Sequence, residues 1–331
     1  MKMHCQTTAT LHVQLRNLLA LILLLVGSIQ TQAQQFTLPV FPDSQSEIDG
    51  NYRMFESQFD WILAHKDSLN IPFVLHVGDV VNFDNLSQWE TASLQFDRLD
   101  RAGIPYAISL GNHDTEAVGE YSGSAAPGNV NQNLRKTAKF NSYFPPSRFI
   151  AQRGRYEAGK SDNAYYTFQT EGINWLVISL EFCPRQGPIN WAGDVIQAHH
   201  EYNVIILTHY HLTGKGEIAD RNAGYGDFSP QFVHDRLVKL YPNVRFVLSG
   251  HVMSSALKID EGEQGNKYYQ LLQNYQNDDF GGGYLRLLHF DLDAKTVTAE
   301  MYSPYYNDTK ADSTTYQITD LEVVRPKMPR N

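Results

Sequence analysis

Short apolar runs separated by helix-like stretches are the feature that most constrains how this chain can fold. The runs have strand length and are rich in β-branched and aromatic residues, whereas stretches 51–69 and 89–102 repeat apolar residues at helical spacing. This alternation predicts an α/β fold. The apolar runs are residues 36–41, 73–77, 106–110, 175–180, 204–207 and 244–248.

The C-terminal part of the chain has a different pattern. After the three glycines at 281–283, the apolar runs 284–291 and 296–302 follow each other without a helical stretch between them. A turn around Asp293 and Ala294 joins them. Two strands connected by so short a turn predict an antiparallel hairpin at the end of the domain.

The first 33 residues have the composition of a secretory signal peptide. Lys2 and Arg16 precede the apolar run 18–26, and a stretch of small residues ends at Ala33. The run is less than half of the roughly 20 residues that a membrane-spanning helix needs. We therefore expect a single exported domain over residues 34–331, located in the periplasm or outside the cell, with no membrane span.

Charge and cysteine content narrow the choice of partners. The formal net charge is −9, and the leader contributes only basic residues, so the exported part is more acidic still. Such a chain is a poor match for the polyanionic backbone of DNA or RNA, and a long nucleic acid is not expected to bind. Cys183 is the single cysteine after the leader, which excludes an internal disulfide.

Residues 115–163 are predicted to form a loop insert at the active site. The segment is rich in Gly, Ser, Pro, Asn and charge, with little sustained periodicity, and loops of this length are usually functional or mobile. The segment concentrates basic residues in an acidic chain. Each of them belongs either to the active site or, alternatively, to a solvated basic surface. These residues are Arg135, Lys136, Lys139, Arg148, Arg153, Arg155 and Lys160.

Five of the apolar runs are each followed closely by a side chain that can bind a metal ion. These side chains are Asp43, Asp79, Asn112, His209 and His251. Turn chemistry explains any one of them alone, because Asp and Asn are common where strands end. Ligands of open α/β sheets, however, bind at the carboxyl ends of the strands, so all five are expected to converge. Glycine precedes three of the five, which lets the backbone pass close to the site.

The mixture of donors predicts the kind of metal and the chemistry. Carboxylate, amide and imidazole ligands together suit Zn, Mn or Fe, whereas Ca and Mg favour oxygen throughout. If Asp79 bridges two ions about 3.5–4 Å apart, the pair can hold an attacking hydroxide and neutralise charge on a displaced oxygen. The sequence therefore predicts transfer of a phosphoryl group to water.

The order of these motifs resembles that of the calcineurin-like metallophosphoesterases. The chain carries Asp43-x-Gln45, Gly78-Asp79, Gly111-Asn112-His113-Asp114, a strand-ending His209 and Gly250-His251, in family order. Its closing segments are similar to those of secreted bacterial members with an Asp-x-Gln first motif, and they read GGGYLRLLHFDLD and EMYSPYYN. The resemblance implies a four-layer α/β/β/α sandwich of two mixed sheets flanked by helices, of the metallo-dependent phosphatase type.

The resemblance also implies a role for each motif residue. Asp79 would bridge two ions, Asp43 and Gln45 would belong to the first, and the protein ligands of the second would be completed by Asn112, His209 and His251. The implied activity is hydrolysis of a small phosphomonoester or phosphodiester.

Two further residues of the third motif are implied to be catalytic. His113 would lie beside the phosphate, as the acid that protonates the leaving group or as an electrostatic stabiliser. Asp114 would orient His113, since a neighbouring carboxylate fixes the tautomer of a histidine and raises its basicity.

Two positions depart from the family pattern. Gln45 stands where the first motif usually has histidine, and Met253 stands where the fifth motif usually has a second histidine. A thioether is too soft to replace imidazole on a hard ion, so we expect a weaker or exchangeable first metal site. His211 and Glu181 are candidates to complete it, with a rim residue satisfied by water or backbone as the alternative for both. A non-catalytic or one-metal binding protein on the same fold is the competing interpretation.

Overall fold

The computed structural model describes residues 33–120, 133–222, 224–310 and 314–326. All but the last residue of the predicted signal peptide, 1–33, lies outside these ranges. The elements described below belong to one unit that starts at Gln35. Within the described ranges, no helix is both long enough and apolar enough to cross a membrane.

The described residues form fourteen strands and six α-helices. The strands are β1 (Gln35–Phe41), β2 (Val74–His76), β3 (Tyr106–Ile108), β4 (Gln152–Arg155), β5 (Ala164–Thr170), β6 (Ile173–Ser179), β7 (Asn203–Leu207), β8 (Val244–Ser249), β9 (Ser255–Glu261), β10 (Lys267–Gln273), β11 (Leu285–Asp291), β12 (Thr296–Ser303), β13 (Asp308–Thr309) and β14 (Tyr316–Ile318). The helices are α1 (Gln45–Gly50), α2 (Tyr52–His65), α3 (Leu86–Ala102), α4 (Ala138–Tyr143), α5 (Gln186–Ala198) and α6 (Pro230–Arg236).

The strands form two mixed sheets. The first has the order β13-β12-β11-β1-β2-β3, with β14 also paired to β12, and its β1, β2 and β3 are parallel. The second has the order β4-β5-β6-β7-β8-β10-β9, and its β6, β7, β8 and β10 are parallel. Each sheet therefore has a parallel part whose carboxyl ends share one edge, flanked by antiparallel strands.

Alternate residues of β7 show how the layers are stacked. Ile205 and Leu207 belong to the core between the two sheets, whereas Ile206 packs in the cluster that contains Ile189 of α5. Successive side chains of a strand point to opposite faces, so the second sheet is covered by the first sheet on one face and by helices on the other. With α2 and α3 packed against the first sheet, the result is the predicted α/β/β/α sandwich.

Aromatic side chains fill the space between the sheets. The rings of Phe36 and Trp175 lie 5.8 Å apart, and those of Phe246 and Phe290 lie 5.5 Å apart, each pair joining one sheet to the other. Each such side chain stabilises the fold by about 1.5–3 kcal/mol when it is fully buried. This packing holds the edges of the two sheets in register at the place where the predicted site residues lie.

Most of the predicted elements are present with shifted ends. The C-terminal hairpin is confirmed, because β11 and β12 pair in antiparallel fashion from Leu285 opposite Tyr302 to Asp291 opposite Thr296. Helix α3 begins three residues earlier than the predicted stretch. The side chain of Asn85 accepts a hydrogen bond from the backbone N–H of Gln88 and so caps the first turn.

The described part of the predicted insert, 115–163, is more ordered than a loop. It contains α4 and β4, and Phe140 and Phe144 are buried against α3. Arg148 donates to Asp100 at 2.7 Å, which ties its guanidinium to α3 instead of to a substrate. Three lysines of the insert also form ion pairs, namely Lys136 with Glu116, Lys139 with Asp84 and Glu120, and Lys160 with Asp162. Residues 121–132 lie outside the described ranges.

Candidate metal centre

The predicted metal-binding side chains follow the carboxyl ends of parallel strands from both sheets. Asp43, Asp79 and Asn112 follow β1, β2 and β3 of the first sheet, and His209 and His251 follow β7 and β8 of the second. Because the two sheets pack face to face, these loops meet at one end of the sandwich. The site is thus built from the seam between the sheets.

The structure brings the candidate ligands together. One ligand atom each of Asp79, His209 and His251 lies within 4.8 Å of the other two. Nε2 of His209 is 3.1 Å from Oδ2 of Asp79 and 3.9 Å from Oδ2 of Asp43. Oxygen and nitrogen donors at this spacing suit a divalent transition metal.

Three buried atoms at this site have no hydrogen-bond partner. They are Oε1 of Gln45, Oδ1 of Asn112 and Nε2 of His209. A buried polar atom without a partner costs about 1–3 kcal/mol, so it is rarely left in that state. All three belong to residues predicted to bind a metal ion. The donor set, with the two amide oxygens and an Nε2 atom that a metal ion can deprotonate, therefore fits a bound cation.

The charge balance of the site also calls for a cation. Burial acts to lower the pKa of His209, but the carboxylates of Asp79 and Asp43 outweigh it and raise that pKa to about 9. Burial acts to raise the pKa of Asp79, but His209 and His113 hold it below its usual range. Nδ1 of His209 lies 2.9 Å from the carbonyl oxygen of Val77, so Nε2 faces the two carboxylates. A metal ion would take the place of the proton on Nε2, and its binding is expected to release that proton.

The comparisons with known proteins identify the family. A family model described as calcineurin-like phosphoesterase matches residues 25–255, more than half of the chain. The chain belongs to the calcineurin-like phosphoesterase family. It is also 30% identical over 295 residues to the uncharacterized protein YvnB of Bacillus subtilis (strain 168). That match covers 86% of this chain but 21% of YvnB, so the chain spans about a fifth of that relative's length.

Solved structures of two phosphatases share the fold of this calcineurin-like phosphoesterase. A purple acid phosphatase from yellow lupin (Lupinus luteus) seeds matches 87% of this chain and 54% of its own, with a TM-score of 0.53 and 14% identity. A dimetal phosphatase from Danio rerio matches 87% of this chain and 99% of its own, with a TM-score of 0.53 and 12% identity. At these identities the likeness shows the fold alone, and it confirms the predicted sandwich.

Asn274 is a site residue that sequence reasoning missed. It is buried, and its Nδ2 donates to Oδ2 of Asp43 at 2.6 Å. The backbone N–H of His251 donates to both oxygens of the same carboxylate, at 3.2 and 3.0 Å. These bonds fix the orientation of Asp43. Asn274 directly follows β10, a parallel strand that was not recognised, so the rule that found the other strand ends would also have found this residue.

The predicted contact between Asp114 and His113 is wrong. Asp114 is buried, and its carboxylate accepts backbone N–H bonds from Gly111 at 2.9 Å and from Asp79 and Val80 at 2.8 Å each. It therefore fastens the loop after β3 to the loop after β2. Burial and the charge of Asp79 raise the pKa of Asp114 to about 7.

His113 is oriented by backbone groups instead. Its Nδ1 lies 2.6 Å from the carbonyl oxygen of Asn82, which places a proton on Nδ1 in the neutral ring and leaves Nε2 free. The backbone N–H of His113 donates to Oδ1 of Asp79 at 2.9 Å. His113 is thus held beside the metal ligand by its main chain and aimed by a carbonyl oxygen.

Neither residue suggested for completing the first metal site does so. Nε2 of His211 lies 2.6 Å from Oε1 of Gln270, and His211 is not part of the group of ligand atoms formed by Asp79, His209 and His251. Glu181 accepts hydrogen bonds from the Arg185 side chain at 2.8 Å. Met253 is 53% exposed, whereas the candidate ligands Asp79 and His209 are buried. Asp43, Gln45 and Asp79 therefore stay the predicted ligands of the first site, and Asn274 is a hydrogen-bond donor to Asp43.

Aromatic rings enclose the two histidine ligands. The ring of Phe182 lies 5.4 Å from that of His209 and 5.2 Å from that of His251. Tyr210 and Tyr225 lie 4.8 and 5.7 Å from His251. Burial lowers the pKa of His251 to about 3, which keeps this imidazole neutral and able to bind a metal ion.

Two of the candidate ligands have left-handed backbone conformations. The φ angle is 54° at Asp79 and 67° at His251. Side chains with a Cβ atom adopt this region at a cost of roughly 1–2 kcal/mol. Such conformations cluster at functional sites, where the surrounding structure maintains them.

Two glycines are required because the ligand-bearing loops touch each other. A Cβ atom on Gly111 would lie 2.0 Å from Oδ1 of Asp79, and one on Gly250 would lie 1.9 Å from Oδ1 of Asp43. Both distances are far shorter than any van der Waals contact. Each glycine thus leaves room for a ligand on the neighbouring loop, as its position before a ligand predicts.

We expect Gly250→Ala to displace Asp43 and to weaken metal binding by about 10- to 100-fold, the range seen when groups supporting a ligand are lost. Titration of the metal-free variant with Mn²⁺ or Zn²⁺ measures the change. Gly214→Ala is the matched control, since a Cβ atom there would meet its nearest neighbours at 3.6 Å. Equal affinities for the two variants would contradict the close approach at Gly250.

His76 and Ser44 connect the loops that carry Asp43 and Asp79. The N–H of Gly78 donates to Nδ1 of His76 at 3.1 Å, Nε2 of His76 lies 3.0 Å from Oγ of Ser44, and this hydroxyl donates to the carbonyl oxygen of Val80 at 3.1 Å. The chain of bonds assigns the remaining ring proton to Nε2. His76 is therefore a buried neutral histidine that supports the site, not a ligand.

The neutral state of His76 predicts a pH dependence of stability. Burial, followed by the nearby His209, lowers its pKa to about 3, whereas an unfolded histidine has a pKa of about 6.5. As the pH falls, the unfolded chain binds a proton at His76 before the folded protein does. The contribution of neutral His76 to the free energy of unfolding is therefore complete above about pH 6.5 and is lost as the pH falls toward about 3. The slope approaches 1.4 kcal/mol per pH unit, about one proton.

We expect His76→Gln to reduce this slope by about one proton. Urea unfolding of the metal-free protein at pH 7, 6 and 5 measures the free energy of unfolding for each variant. His200→Gln, which changes an exposed histidine, serves as the control. An unchanged slope in His76→Gln would mean that His76 already takes up a proton in the folded protein.

Proposed function

We propose that this chain is an exported metal-dependent hydrolase of small phosphate esters, either monoesters or diesters. The observation that carries the proposal is the group of Asp79, His209 and His251, of which the first two are buried and the third is half-buried, and whose ligand atoms lie within 4.8 Å of one another. Family membership supports the reaction class. Export rests on the leader, residues 1–33, and the periplasm or the cell exterior is the proposed location.

The residues of the centre divide into two sets around Asp79. Asn112, His209 and His251 would hold one ion, and Asp43 and Gln45 would hold the other, with Asp79 between them. Two bound ions of Mn, Fe or Zn would supply a nucleophilic water and neutralise negative charge on the phosphoryl group. Asn274 and the main chain of His251 keep Asp43 in the orientation that this arrangement needs.

His113 is proposed to act on the leaving group. Its Nδ1 is turned toward the carbonyl oxygen of Asn82, so Nε2 is the atom available to the substrate. With the ring protonated on both nitrogens, the proton on Nε2 would pass to the ester oxygen as the bond to phosphorus breaks, and the ring would keep the proton on Nδ1. A positioned acid of this kind contributes about 10²- to 10⁴-fold to the rate.

A non-catalytic or one-metal binding protein is the second candidate. It is favoured by the exposed Met253 and by Gln45, since the first site lacks both usual imidazoles. The buried amide oxygen of Gln45 can still bind an ion, but more weakly than an imidazole. The two candidates differ in whether a metal ion produces turnover.

We expect a chelator to abolish hydrolysis and one of Mn²⁺, Zn²⁺ or Fe²⁺ to restore it. The substrates are p-nitrophenyl phosphate and bis-(p-nitrophenyl) phosphate, and p-nitrophenol release is the measurement. Elemental analysis of the reconstituted protein counts the ions, with about two per chain expected for a dinuclear centre. One tightly held ion without hydrolysis under any of the three metals would favour the binding protein.

A further inference from the structure

A cleft of about 390 Å³ lies beside the candidate metal centre. Its wall includes Met253, Ser255, Asn274, Tyr275, Asp278 and Lys310. Asn274 connects the cleft to the centre. It lines the cleft, and its side chain donates a hydrogen bond to the candidate ligand Asp43. A substrate whose phosphate lies at the centre can therefore place its other end in this cleft.

Arg286 is a fully buried cation behind this wall. Its guanidinium donates to Oγ of Ser255 at 2.8 Å and to the Tyr275 hydroxyl at 3.2 Å, and both residues line the cleft. Its other hydrogen bonds go to backbone carbonyl oxygens, and among the described residues no carboxylate forms an ion pair with it. A buried charge without a counter-ion is costly, and buried charges are normally paired.

Lys310 is a second cation, on the wall itself. Its ammonium lies 5.4 Å from the ring centre of Tyr275 and 5.0 Å from that of Tyr284. Asp278 pairs with it at 2.5 Å. Among the described residues, the lining of the cleft carries one cation, Lys310, and one carboxylate, Asp278, and the buried cation Arg286 lies behind it. The whole chain, by contrast, has a formal net charge of −9.

We propose that this cleft binds a second anionic group, a phosphate or a carboxylate, carried by the phosphate-ester substrate. The proposal rests on the hydrolase function and names the class of its substrate. Lys310 would contact the anion directly. Its ion pair with Asp278 would be partly replaced by this new contact. The Tyr275 hydroxyl accepts a hydrogen bond from Arg286 and belongs to the wall of the cleft, so in the proposed complex it would donate its own proton to the anion, and the buried charge would reinforce that bond.

Matched esters test this selectivity. The probes are propyl phosphate and its analogues with a terminal carboxylate or a terminal phosphate, together with the p-nitrophenyl diesters of the same three alcohols. We expect the metal-loaded enzyme to prefer the better anion-bearing ester over the propyl ester by about tenfold in kcat/KM, the effect of one charge-assisted contact. The comparison of carboxylate with phosphate identifies which anion the cleft takes.

Three variants of the wall assign the selectivity to named residues. Lys310→Met is expected to reduce the preference about fivefold through a higher KM, and Asp278→Asn is expected to increase it, since a competing carboxylate is removed. Tyr275→Phe should reduce the preference by removing the donor next to Arg286. Lys267→Met, an exposed lysine at the start of β10, is the control and should keep the preference of the wild type.

A binding measurement with ligands that are not hydrolysed tests the cleft independently of the proposed hydrolase function. Calorimetry on Mn²⁺-loaded protein compares propylphosphonate with its carboxylate- and phosphate-bearing analogues, which cannot be hydrolysed at the phosphonate. Tighter binding of an anion-bearing analogue that Lys310→Met removes would support the cleft even if no ester were hydrolysed. Equal binding of all analogues, or equal losses in Lys310→Met and Lys267→Met, would overturn it.

Discussion

Asp79→Asn is expected to lose nearly all metal and nearly all activity. The carboxylate lies 3.1 Å from Nε2 of His209 and would bridge the two ions, so the neutral amide removes a negative charge from both sites at once. We expect kcat/KM to fall by at least about 10³-fold, as when a main source of transition-state charge stabilisation is lost. Elemental analysis and p-nitrophenyl ester kinetics on the same preparation give both values.

Asparagine is chosen at position 79 because it tolerates the left-handed backbone there. The variant should therefore fold, and a circular dichroism spectrum equal to that of the wild type checks this. Asp97→Asn, which changes an exposed carboxylate paired with Arg101, is the matched control. Retention of two ions by Asp79→Asn would rule out the bridging role.

His113→Asn is expected to keep its metal ions and to lose hydrolysis rate, whereas Asp79→Asn is expected to lose both. The His113 side chain is aimed by the carbonyl oxygen of Asn82, and it is not part of the group of ligand atoms formed by Asp79, His209 and His251. We expect kcat to fall by about 10²- to 10⁴-fold, the contribution of a positioned general acid, while the ion content stays at the wild-type value.

A substrate with a good leaving group distinguishes the acid from a general electrostatic role. p-Nitrophenolate needs little protonation, so His113→Asn should reduce hydrolysis of an alkyl ester more than that of a p-nitrophenyl ester. His200→Asn, at an exposed position, is the control. Equal losses for both esters would assign His113 to charge stabilisation, and loss of metal would make it part of the metal site.

The sequence predicted the fold and the place of the site for one physical reason. Strands leave a periodic apolar signature, and the carboxyl ends of parallel strands share an edge. A polar donor just after an apolar run therefore reports a position in space as well as in the chain. Asp79 and His209, 130 positions apart, meet at 3.1 Å in this way.

The same reasoning could not find Asn274, because β10 does not have the same signature. That strand reads KYYQLLQ, its apolar run is short, and its Gln270 is hydrogen-bonded to the buried His211. A strand must first be recognised before the residue after it can be assigned to the site. Contacts between distant loops were hidden for a similar reason, and the bond from Asn274 to Asp43 is one of them.

The hydrogen-bond partners of Asp114, which is next to His113 in the chain, could not be predicted from the sequence either. Asp114 adjoins His113 in the chain, but its oxygens satisfy the N–H groups of Gly111, Asp79 and Val80. Adjacent side chains need not point the same way, and a tight turn exposes backbone donors that compete for any acceptor. The direction of a side chain in such a turn is decided by this competition, which a linear pattern does not record.

The left-handed backbone at His251 lowers the stability of the fold at a residue that offers a metal ligand. The conformation costs about 1–2 kcal/mol for a residue with a Cβ atom, and glycine would adopt it freely. A selection for thermal endurance alone would therefore drift toward glycine at this position and would discard the imidazole. Because His251 also offers a ligand atom to the candidate metal centre, we infer that chemistry and not folding determines the residue at position 251.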